Sequence, residues 1–300
     1  MVNPTILAAP SEIASRLSLP DVEVVTWDGS GAAPRPDIEV WVAGYVVGRD
    51  ADDIRATLTS LPSLRVIQLL TAGVEPWPGL VPEGVTLCAG KAIHGGSTAE
   101  LAVALTLSLV RDLPRYAAQQ ADRTWARHHP DTLAGRQVVV LGAGDIGGTV
   151  AATFEALDAQ VTLVSRRGPV TLADARALRA DVLVIALPLT EDTRGIVDTA
   201  WLASLPDHAI VVNVARGPIL DLEALTAEVK AGRLRAGLDV TDPEPLPADH
   251  PLWTLPGVVI TPHVGGGATG WEERAVAMIG SQLQRLRAGE PLQYQVTAGY

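Results

Sequence analysis

The stretch Val138-Val139-Val140-Leu141-Gly142-Ala143-Gly144-Asp145-Ile146-Gly147 decides the fold of this chain. Its four apolar residues predict a buried strand, and the glycines follow that strand directly. The next residues repeat apolar side chains on one face of a predicted helix, at Ile146, Val150, Phe154 and Leu157. A Gly-x-Gly-x-x-Gly pattern alone often arises by chance, but between a strand and a helix it indicates a dinucleotide-binding unit.

Each glycine of this turn has its own predicted role. Gly142 permits the tight turn, Gly144 lets the backbone approach a pyrophosphate, and Gly147 lets the helix pack closely on the strand. The helix N-terminus, with Asp145 and Ile146, then faces the phosphates. We therefore expect the turn to hold the pyrophosphate of a nicotinamide dinucleotide. A glycine-rich turn without a ligand is the alternative.

Along the whole chain, short apolar runs alternate with helical patterns, as in a parallel sheet covered by helices. The predicted strands lie at residues 39–43, 64–69, 137–141, 161–164, 182–187, 209–213 and 258–261. A helix is predicted at 52–58, between the first two of them. The fold class is therefore α/β, with two Rossmann-like domains that are each built on a parallel sheet.

Two features divide the chain. Ser97-Thr98-Ala99-Glu100 has the pattern of a capping box that starts a helix, and Gly265-Gly266-Gly267 provides the backbone freedom of a hinge. After the hinge, residues 271–287 have helical spacing and could return to the first domain. We predict a discontinuous substrate domain, made of residues 1–97 and 268–300, with a cofactor domain inserted at 98–267.

Composition and charge exclude several function classes. The net charge of -11 over 300 residues argues against binding to nucleic acid or to an anionic membrane. The most apolar stretch, residues 101–110, is about half the length needed to span a bilayer. A single cysteine, Cys88, indicates a reducing compartment, and the first seven residues lack the pattern of a secretory signal. We expect a cytoplasmic protein.

The residues after the second strand of the cofactor domain bear on the choice of dinucleotide. NAD-binding units carry an acidic residue about 20 positions after the first glycine, where it binds the adenosine ribose. Here Ser165 lies at that place, followed by Arg166 and Arg167. A hydroxyl and two guanidinium groups would bind a 2′-phosphate, whereas a carboxylate would repel it. NADP(H) is thus the preferred cofactor and NAD(H) the alternative, unless the arginines are only solvated loop residues.

Candidate catalytic residues follow predicted strands of the same domain. Arg216 and Asp239 come after apolar segments, Glu244 follows Asp239 closely, and His263 ends the last apolar run. Carbonyl reduction needs a proton donor that works near neutral pH, which histidine provides, and a cation that binds a carboxylate, which arginine provides. A carboxylate beside the histidine favours its protonated form.

With these residues, the chain resembles the D-isomer-specific 2-hydroxyacid dehydrogenase family. The resemblance is strong over about 97–267 and weaker at both ends. The resemblance rests on a set of motifs in the family's order: the glycine turn; Leu187-Pro188-Leu189-Thr190-Glu191-Asp192-Thr193-Arg194-Gly195; Asn213-Val214-Ala215-Arg216-Gly217; Gly237-Leu238-Asp239-Val240 with Glu244-Pro245; and Thr261-Pro262-His263 before Gly265-Gly266. Each motif is weak alone, and the combination is specific.

The resemblance implies roles for individual residues. Arg216 resembles the arginine that binds the substrate, His263 resembles the acid/base, and Glu244 resembles its carboxylate partner. Asp239 corresponds to the residue that holds the nicotinamide carboxamide. Further cofactor contacts are implied for Leu187, Pro188, Thr193, Val214, Ala215, Gly265 and Gly266, and substrate contacts for the backbone of Ala72, Gly73 and Val74. No metal is implied.

The implied activity is hydride transfer to a small 2-oxo acid. Since Ser165-Arg166-Arg167 replaces the acidic residue of the NAD-type members, the chain is closest to the glyoxylate and hydroxypyruvate reductase branch. Two alternatives stay open: a phosphite- or formate-type dehydrogenase, and a nucleotide-sensing corepressor-like interaction protein. The apolar helix after Glu100 and the segment around Trp125 resemble the family's dimerisation region, so a homodimer is expected.

Overall fold

The structure is a computed structural model that describes residues 4–44, 51–74, 77, 79–166 and 168–297. The chain divides into two compact units. The terminal unit comprises Met1–Gly95 and Gly267–Tyr300, and the inserted unit comprises Gly96–Gly266. These bounds lie within two residues of those predicted.

The terminal unit is built on a parallel sheet, which among the described residues has five strands in the order β2-β1-β3-β4-β5. The strands are β1 (Thr5–Ala9), β2 (Val22–Thr26), β3 (Val40–Ala43), β4 (Val66–Leu69) and β5 (Thr86–Cys88). Helices α1 (Ser11–Ala14) and α2 (Ala51–Thr59) belong to the same unit. The sheet has an apolar core on each face, because successive residues of β3 alternate between two buried clusters.

The inserted unit is built on a second parallel sheet. Within the part of the chain that the structure describes, it has six strands in the order β7-β6-β8-β9-β10-β11. They are β6 (Gln137–Leu141), β7 (Gln160–Val164), β8 (Val182–Ile185), β9 (Ile210–Asn213), β10 (Arg235–Leu238) and β11 (Val258–Ile260). Val138 and Val140 pack on one face of this sheet, and Val139 and Leu141 pack on the other.

Helices connect these strands and cover both faces of the sheet. They are α3 (Gly95–Val110), α4 (Leu113–Ala121), α5 (Asp145–Glu155), α6 (Leu172–Ala175), α7 (Thr199–Ser204) and α8 (Leu222–Lys230). Short 3-10 turns lie at Gly217–Ile219 and Pro251–Trp253. Val150 and Phe154 of α5 are fully buried against β6, as their spacing predicts.

A long C-terminal helix, α9 (Trp271–Ala288), completes the terminal unit. Its buried side chains, which include Ile279 and Leu283, pack with Val40 and Val42 of β3. The segment after it lies along β5, where Val296 donates its N–H to the carbonyl of Leu87 and Ala89 donates to the carbonyl of Tyr294. The backbone groups at that edge of the sheet are therefore partly paired.

The predicted fold class of two parallel-sheet α/β domains is confirmed, and so are the helices at 52–58 and 271–287. Two details were wrong. The helix assigned a start at Ser97 begins at Gly95, so Ser97 lies inside its first turn. Leu157 lies beyond the end of α5 and is 40% exposed, because the helix stops at Glu155.

In the described ranges, the structure contains no helix that is both long and apolar enough to cross a bilayer. The longest helix, α9, has charged residues at both ends: Glu272 and Glu273 in its first turn, and Arg285 and Arg287 in its last. These charges complement the helix dipole, which favours anionic side chains at the N-terminus and cationic ones at the C-terminus.

Candidate active site

The strands of the inserted unit end in a single row across its sheet. The register pairs their last residues in the order Val164, Leu141, Ile185, Asn213, Leu238 and Ile260. The residues predicted to bind cofactor or to do chemistry in this unit all follow members of this row. Open α/β sheets bind their ligands at this edge, beyond the carboxyl ends of the strands.

The glycine turn follows Leu141 at the point where the strand order reverses, between β6 and β8. Gly142 has a φ of 110°, and a Cβ there would overlap the carbonyl oxygen of Ala186 at the end of β8. A Cβ on Gly147 would overlap the carbonyl oxygen of Gly142. Both positions therefore require glycine so that the turn can close and α5 can reach the strand.

Gly144 differs from its two neighbours in the motif. A Cβ on Gly144 would meet no protein atom within 4 Å. Packing of the protein therefore does not explain a glycine at this position. Gly144 is the N-cap residue of α5 and has no side chain with which to cap the helix. The space in front of it, together with the positive end of the helix dipole, fits the pyrophosphate of a dinucleotide.

The loop after β7 carries the residues predicted to select the dinucleotide. Ser165 is half-buried and donates its N–H to the carbonyl of Val170, while Arg166 is exposed. Arg167, which was predicted to bind cofactor with them, lies outside the described residues. The loop ends at a capping box in which Thr171 and Asp174 bond reciprocally to start α6. Arg166 is thus an exposed residue that lies just beyond the carboxyl end of β7.

The loop after β8 is held by Thr193. The Thr193 hydroxyl donates to the carbonyl of Pro188 at 2.7 Å and accepts the N–H of Thr190 at 2.8 Å. Thr193 is only 7% exposed, whereas Leu187 is half-buried and Pro188 is exposed. The hydroxyl of Thr193 thus shapes the loop, and of the three residues predicted to contact the cofactor here, Leu187 and Pro188 are the two with exposed surface.

The loop after β9 carries Arg216 and is fixed by the buried side chain of Asn213. Its amide nitrogen donates to the carbonyl of Arg216 at 3.0 Å, and its amide oxygen accepts the N–H of Ala215 at 3.0 Å. Gly217 lies against the backbone of Thr241, where a Cβ would overlap the carbonyl oxygen. Val214 and Ala215 are buried, and Arg216 is half-buried. Two contacts therefore fix the position of the Arg216 backbone: the hydrogen bond from Asn213 and the close approach of Gly217 to Thr241.

The loop after β11 carries His263 and is fixed by Asp239, which directly follows β10. Asp239 is 2% exposed, and its carboxylate accepts hydrogen bonds from the hydroxyl of Thr261 and from the N–H groups of Val264 and Gly265. The cofactor role that resemblance implies for Asp239 stays a prediction. A carboxylate has about four lone-pair sites, so one remains beside these three bonds.

His263 and Glu244 form a hydrogen-bonded pair. The Nδ1 of His263 lies 2.5 Å from Oε1 of Glu244, and the two side chains are 46% and 42% exposed. With Nδ1 bonded to the carboxylate, Nε2 is the ring atom left to exchange a proton with a ligand. His263 has a φ of 54°, a left-handed conformation that costs a non-glycine residue about 1–2 kcal/mol.

The predicted substrate loop lies in the terminal unit, after β4. The hydroxyl of Thr71 donates to the carbonyl of Gly73 at 2.8 Å, and Gly90 donates its N–H to the carbonyl of Thr71 at 2.7 Å. Ala72 and Gly73 are half-buried, and Val74 is buried at 3% exposure. The loop thus offers main-chain groups, with no charged side chain among Ala72, Gly73 and Val74.

Sequence reasoning gave no role to the side chains of Asn213 and Thr261. Both residues stood inside quoted motifs, but the groups that they contact become visible only in the folded chain. Thr261, for example, bonds to a carboxylate that lies 22 positions earlier. A polar residue at the end of an apolar strand was the signal that could have singled them out.

Comparisons with known proteins show which sequences and structures the chain is similar to. The model of the family "D-isomer specific 2-hydroxyacid dehydrogenase, NAD binding domain" matches residues 103–265, which lie within the inserted unit. The chain is 31% identical over 269 residues to a glyoxylate reductase/hydroxypyruvate reductase of Mus musculus, with 82% of each chain covered. It is also 31% identical to glyoxylate/hydroxypyruvate reductase A of Photorhabdus laumondii, with 91% of this chain and 89% of that protein covered.

Solved structures extend the likeness over both units. An NADPH-dependent glyoxylate/hydroxypyruvate reductase of Sinorhizobium meliloti, in complex with NADP and sulfate, superposes with a TM-score of 0.84 at 26% identity. The superposition covers 99% of this chain and 100% of that one. The likeness therefore includes the terminal unit, which lies wholly outside the match to the family model.

Proposed function

The chain belongs to the D-isomer-specific 2-hydroxyacid dehydrogenase family, and we propose that it reduces a small 2-oxo acid, such as glyoxylate or hydroxypyruvate, to the D-2-hydroxy acid with NADPH as the preferred reductant. The observation that carries the proposal is the single row of strand ends in the inserted unit. The glycine turn, Ser165, Arg216, Asp239 and His263 all follow that row. Cofactor-binding and acid–base groups thus share one edge of the sheet.

Each of these residues has its own role in the proposed reaction. When bound, the reduced nicotinamide supplies the hydride that reduces the carbonyl carbon. His263 gives the proton on Nε2 to the carbonyl oxygen, while Glu244 accepts a hydrogen bond from Nδ1 and holds the ring in that orientation. Arg216 binds the substrate carboxylate and polarises the carbonyl through its guanidinium group. Each turnover takes up one hydride and one proton, so a 2-oxo acid becomes a 2-hydroxy acid.

Preference for NADPH rests on the loop after β7. Ser165 and Arg166 stand where an acidic residue would bind the ribose of NAD, and Arg166 is exposed there. A guanidinium group binds a 2′-phosphate by charge-assisted hydrogen bonds. The NADP bound in the Sinorhizobium meliloti relative is consistent with this preference.

A panel of absorbance assays tests the proposal. Purified protein is mixed with glyoxylate, hydroxypyruvate, pyruvate or phenylpyruvate, each with NADPH and with NADH, and the nicotinamide band is followed. We expect oxidation of NADPH with glyoxylate or hydroxypyruvate and a smaller kcat/KM with NADH. No oxidation of either cofactor with all four acids would overturn the proposed activity. A larger kcat/KM with NADH would overturn the cofactor preference alone.

We also propose that two copies of the chain associate through the region of α3 and α4. Trp125, which follows α4, is 90% exposed, and Leu113 at the start of α4 is 52% exposed. Large exposed apolar patches are commonly covered by a partner surface. Light scattering should give the mass of a dimer for the purified protein. A monomer at micromolar concentration would contradict the assignment.

The single cysteine supports a location in the cytoplasm, where thiols stay reduced. Cys88 is fully buried in the core of the terminal unit, and burial raises the pKa of its thiol to about 11. Cell fractionation of the source organism, with the protein detected by antibody, checks the location. Recovery in the membrane or secreted fraction would contradict it.

A further inference from the structure

We propose that Thr261 is a positioning residue for His263, and that it acts by locking the buried carboxylate of Asp239 onto the backbone of the His263 loop. The inference rests on the proposed role of His263 as the proton donor. Thr261 itself lies at the end of β11 and makes no proton transfer. Its effect passes through three hydrogen bonds that are visible in the folded chain.

The His263 loop needs to be held because its backbone is in an unfavourable conformation. His263 has a φ of 54°, a region that residues with a side chain rarely adopt. The Nδ1···Oε1 distance of 2.5 Å to Glu244 depends on that conformation, since it sets where the ring leaves the backbone. A loop free to relax would move the ring away from its carboxylate partner.

Three consecutive N–H groups of the loop converge on Asp239. His263 donates to the backbone carbonyl of Asp239 at 2.8 Å. Val264 donates to Oδ1 and Gly265 donates to Oδ2 of its carboxylate, each at 2.9 Å. One residue at the end of β10 therefore holds the whole of the turn that contains His263.

Thr261 fixes the carboxylate of Asp239, and that carboxylate holds the His263 loop. Its hydroxyl donates to Oδ1 of Asp239 at 2.6 Å, the shortest of the three bonds to that carboxylate. Asp239 is 2% exposed, so water does not readily replace a lost bond at this position. A Cβ on Gly265 would lie only 3.0 Å from Oδ2 of Asp239, so glycine at this position avoids a tight contact with the carboxylate. The hydroxyl of Thr261 and the two N–H groups together hold the carboxylate in its observed orientation.

The prediction concerns turnover more than substrate binding. Without the hydroxyl, the Asp239 carboxylate can rotate, the turn loosens, and His263 spends less time paired with Glu244. We expect Thr261→Val to lower kcat about tenfold, since one 1.4 kcal/mol loss of transition-state stabilisation is a factor of ten. KM for the 2-oxo acid should change little, because Arg216 is held by a different residue, Asn213.

Matched variants separate positioning from general destabilisation. Thr261→Ser keeps the hydroxyl and should restore kcat to near the wild-type value. Thr226→Val removes another half-buried threonine hydroxyl, which donates to the carbonyl of Leu222 within α8 at 2.7 Å. That control should lower the melting temperature and leave kcat unchanged.

Nuclear magnetic resonance of the histidine rings provides a readout that does not depend on activity. In ¹⁵N-histidine protein, the signals of His263, assigned by their loss in His263→Gln, should shift in Thr261→Val and stay in place in the other two variants. Wild-type kcat and unshifted His263 signals in Thr261→Val would overturn the positioning role. If the wild-type protein reduces no 2-oxo acid, the proposed function fails, while the His263 signals still decide whether Thr261 positions the ring.

Discussion

The two sheets of this chain have the same strand order and differ in the residues that come after their strands. The terminal sheet runs β2-β1-β3-β4-β5, and the inserted sheet repeats that order with one further strand. In the inserted unit, the strand ends are followed by Ser165, Arg216, Asp239 and His263. Among the first three residues after each strand, the sequence of the terminal unit has Glu12, Asp28 and Lys91 but no histidine or arginine.

The comparison shows that the architecture alone does not specify the chemistry. Both sheets present strand ends at one edge, where ligands bind in open α/β sheets. In the inserted unit that edge carries side chains that can hold charge and move a proton. In the terminal unit that edge has no histidine within three residues of a strand end, and the loop after β4 offers backbone groups, such as those of Ala72 and Gly73. Function is therefore assigned from the residues at the site rather than from the fold.

The largest effect on stability is expected within the glycine turn, where two substitutions to alanine should have opposite consequences. Gly147→Ala places a methyl group on the carbonyl oxygen of Gly142, so α5 must move off β6. We expect a loss of about 3 kcal/mol in the free energy of unfolding, as for overpacking of a tight core. Chemical denaturation followed by circular dichroism measures it.

Gly144→Ala should leave the stability within about 0.5 kcal/mol of wild type, because the methyl group meets no protein atom within 4 Å. It should weaken NADPH binding by roughly ten- to a hundredfold, which corresponds to the loss of one charge-assisted hydrogen bond. Titration of NADPH fluorescence measures the Kd. Unchanged NADPH affinity in Gly144→Ala would mean that the turn does not face the pyrophosphate.

A smaller effect is expected at the end of β7, where Ser165→Asp should reverse the cofactor preference. The new carboxylate would repel a 2′-phosphate and accept hydrogen bonds from the ribose hydroxyls of NADH. The ratio of kcat/KM for NADPH to that for NADH should fall by about tenfold or more, which is the size expected for one charged hydrogen bond. Thr171, at the end of the same loop, provides a control: Thr171→Ser keeps the cap of α6 and should leave the ratio unchanged.

The smallest effect on activity is expected in the terminal unit, at its one thiol. Burial raises the pKa of Cys88 to about 11, so at pH 8 the folded protein holds far less thiolate than an unfolded chain does. Iodoacetamide should modify the native protein at least about 100-fold more slowly than the protein in urea. Mass spectrometry of the alkylated chain follows both rates. Rapid native alkylation that abolishes activity would place chemistry in the unit that we regard as lacking it.

Most of the inserted sheet could be predicted from the sequence because its central strands, such as β8 and β9, are buried on both faces. The predicted 137–141 matches β6 fully, and four further strands agree within two residues. β10 was not among the predicted strands, because Arg235 and Gly237 interrupt its apolar pattern. Gly237 lies there because a Cβ would come within 3.1 Å of Leu105 on α3. That close approach exists only in the folded unit.

The terminal sheet was harder to predict. β2 lies at the edge of the sheet and has no fully buried residue, so its composition resembles that of a surface loop. β1 is short and ends in Ala8 and Ala9, which have little strand preference. The local sequence pattern was too weak in both strands, and their conformation is decided by the pairing of β1 with β3 and of β2 with β1.

The candidate site, too, could be predicted only in part from the sequence. Arg216, Glu244 and His263 could be singled out because their chemistry suits carbonyl reduction and their motifs are specific in combination. The structure adds the 2.5 Å contact between His263 and Glu244. It also adds the residues that hold the loops, Asn213 and Thr261, whose partners are set by tertiary contacts rather than by spacing along the chain.

The most direct test of the account compares His263→Ala with His208→Ala. Both histidines have a left-handed backbone, with φ of 54° and 66°, but His208 precedes β9 at the opposite edge of the sheet. The two substitutions therefore make the same chemical change in the same backbone conformation. With NADPH and the best 2-oxo acid, we predict that His263→Ala lowers kcat by about 10²–10⁴-fold and that His208→Ala retains the wild-type value. Wild-type turnover in His263→Ala would contradict the claim that acid–base chemistry lies at the carboxyl ends of the inserted sheet.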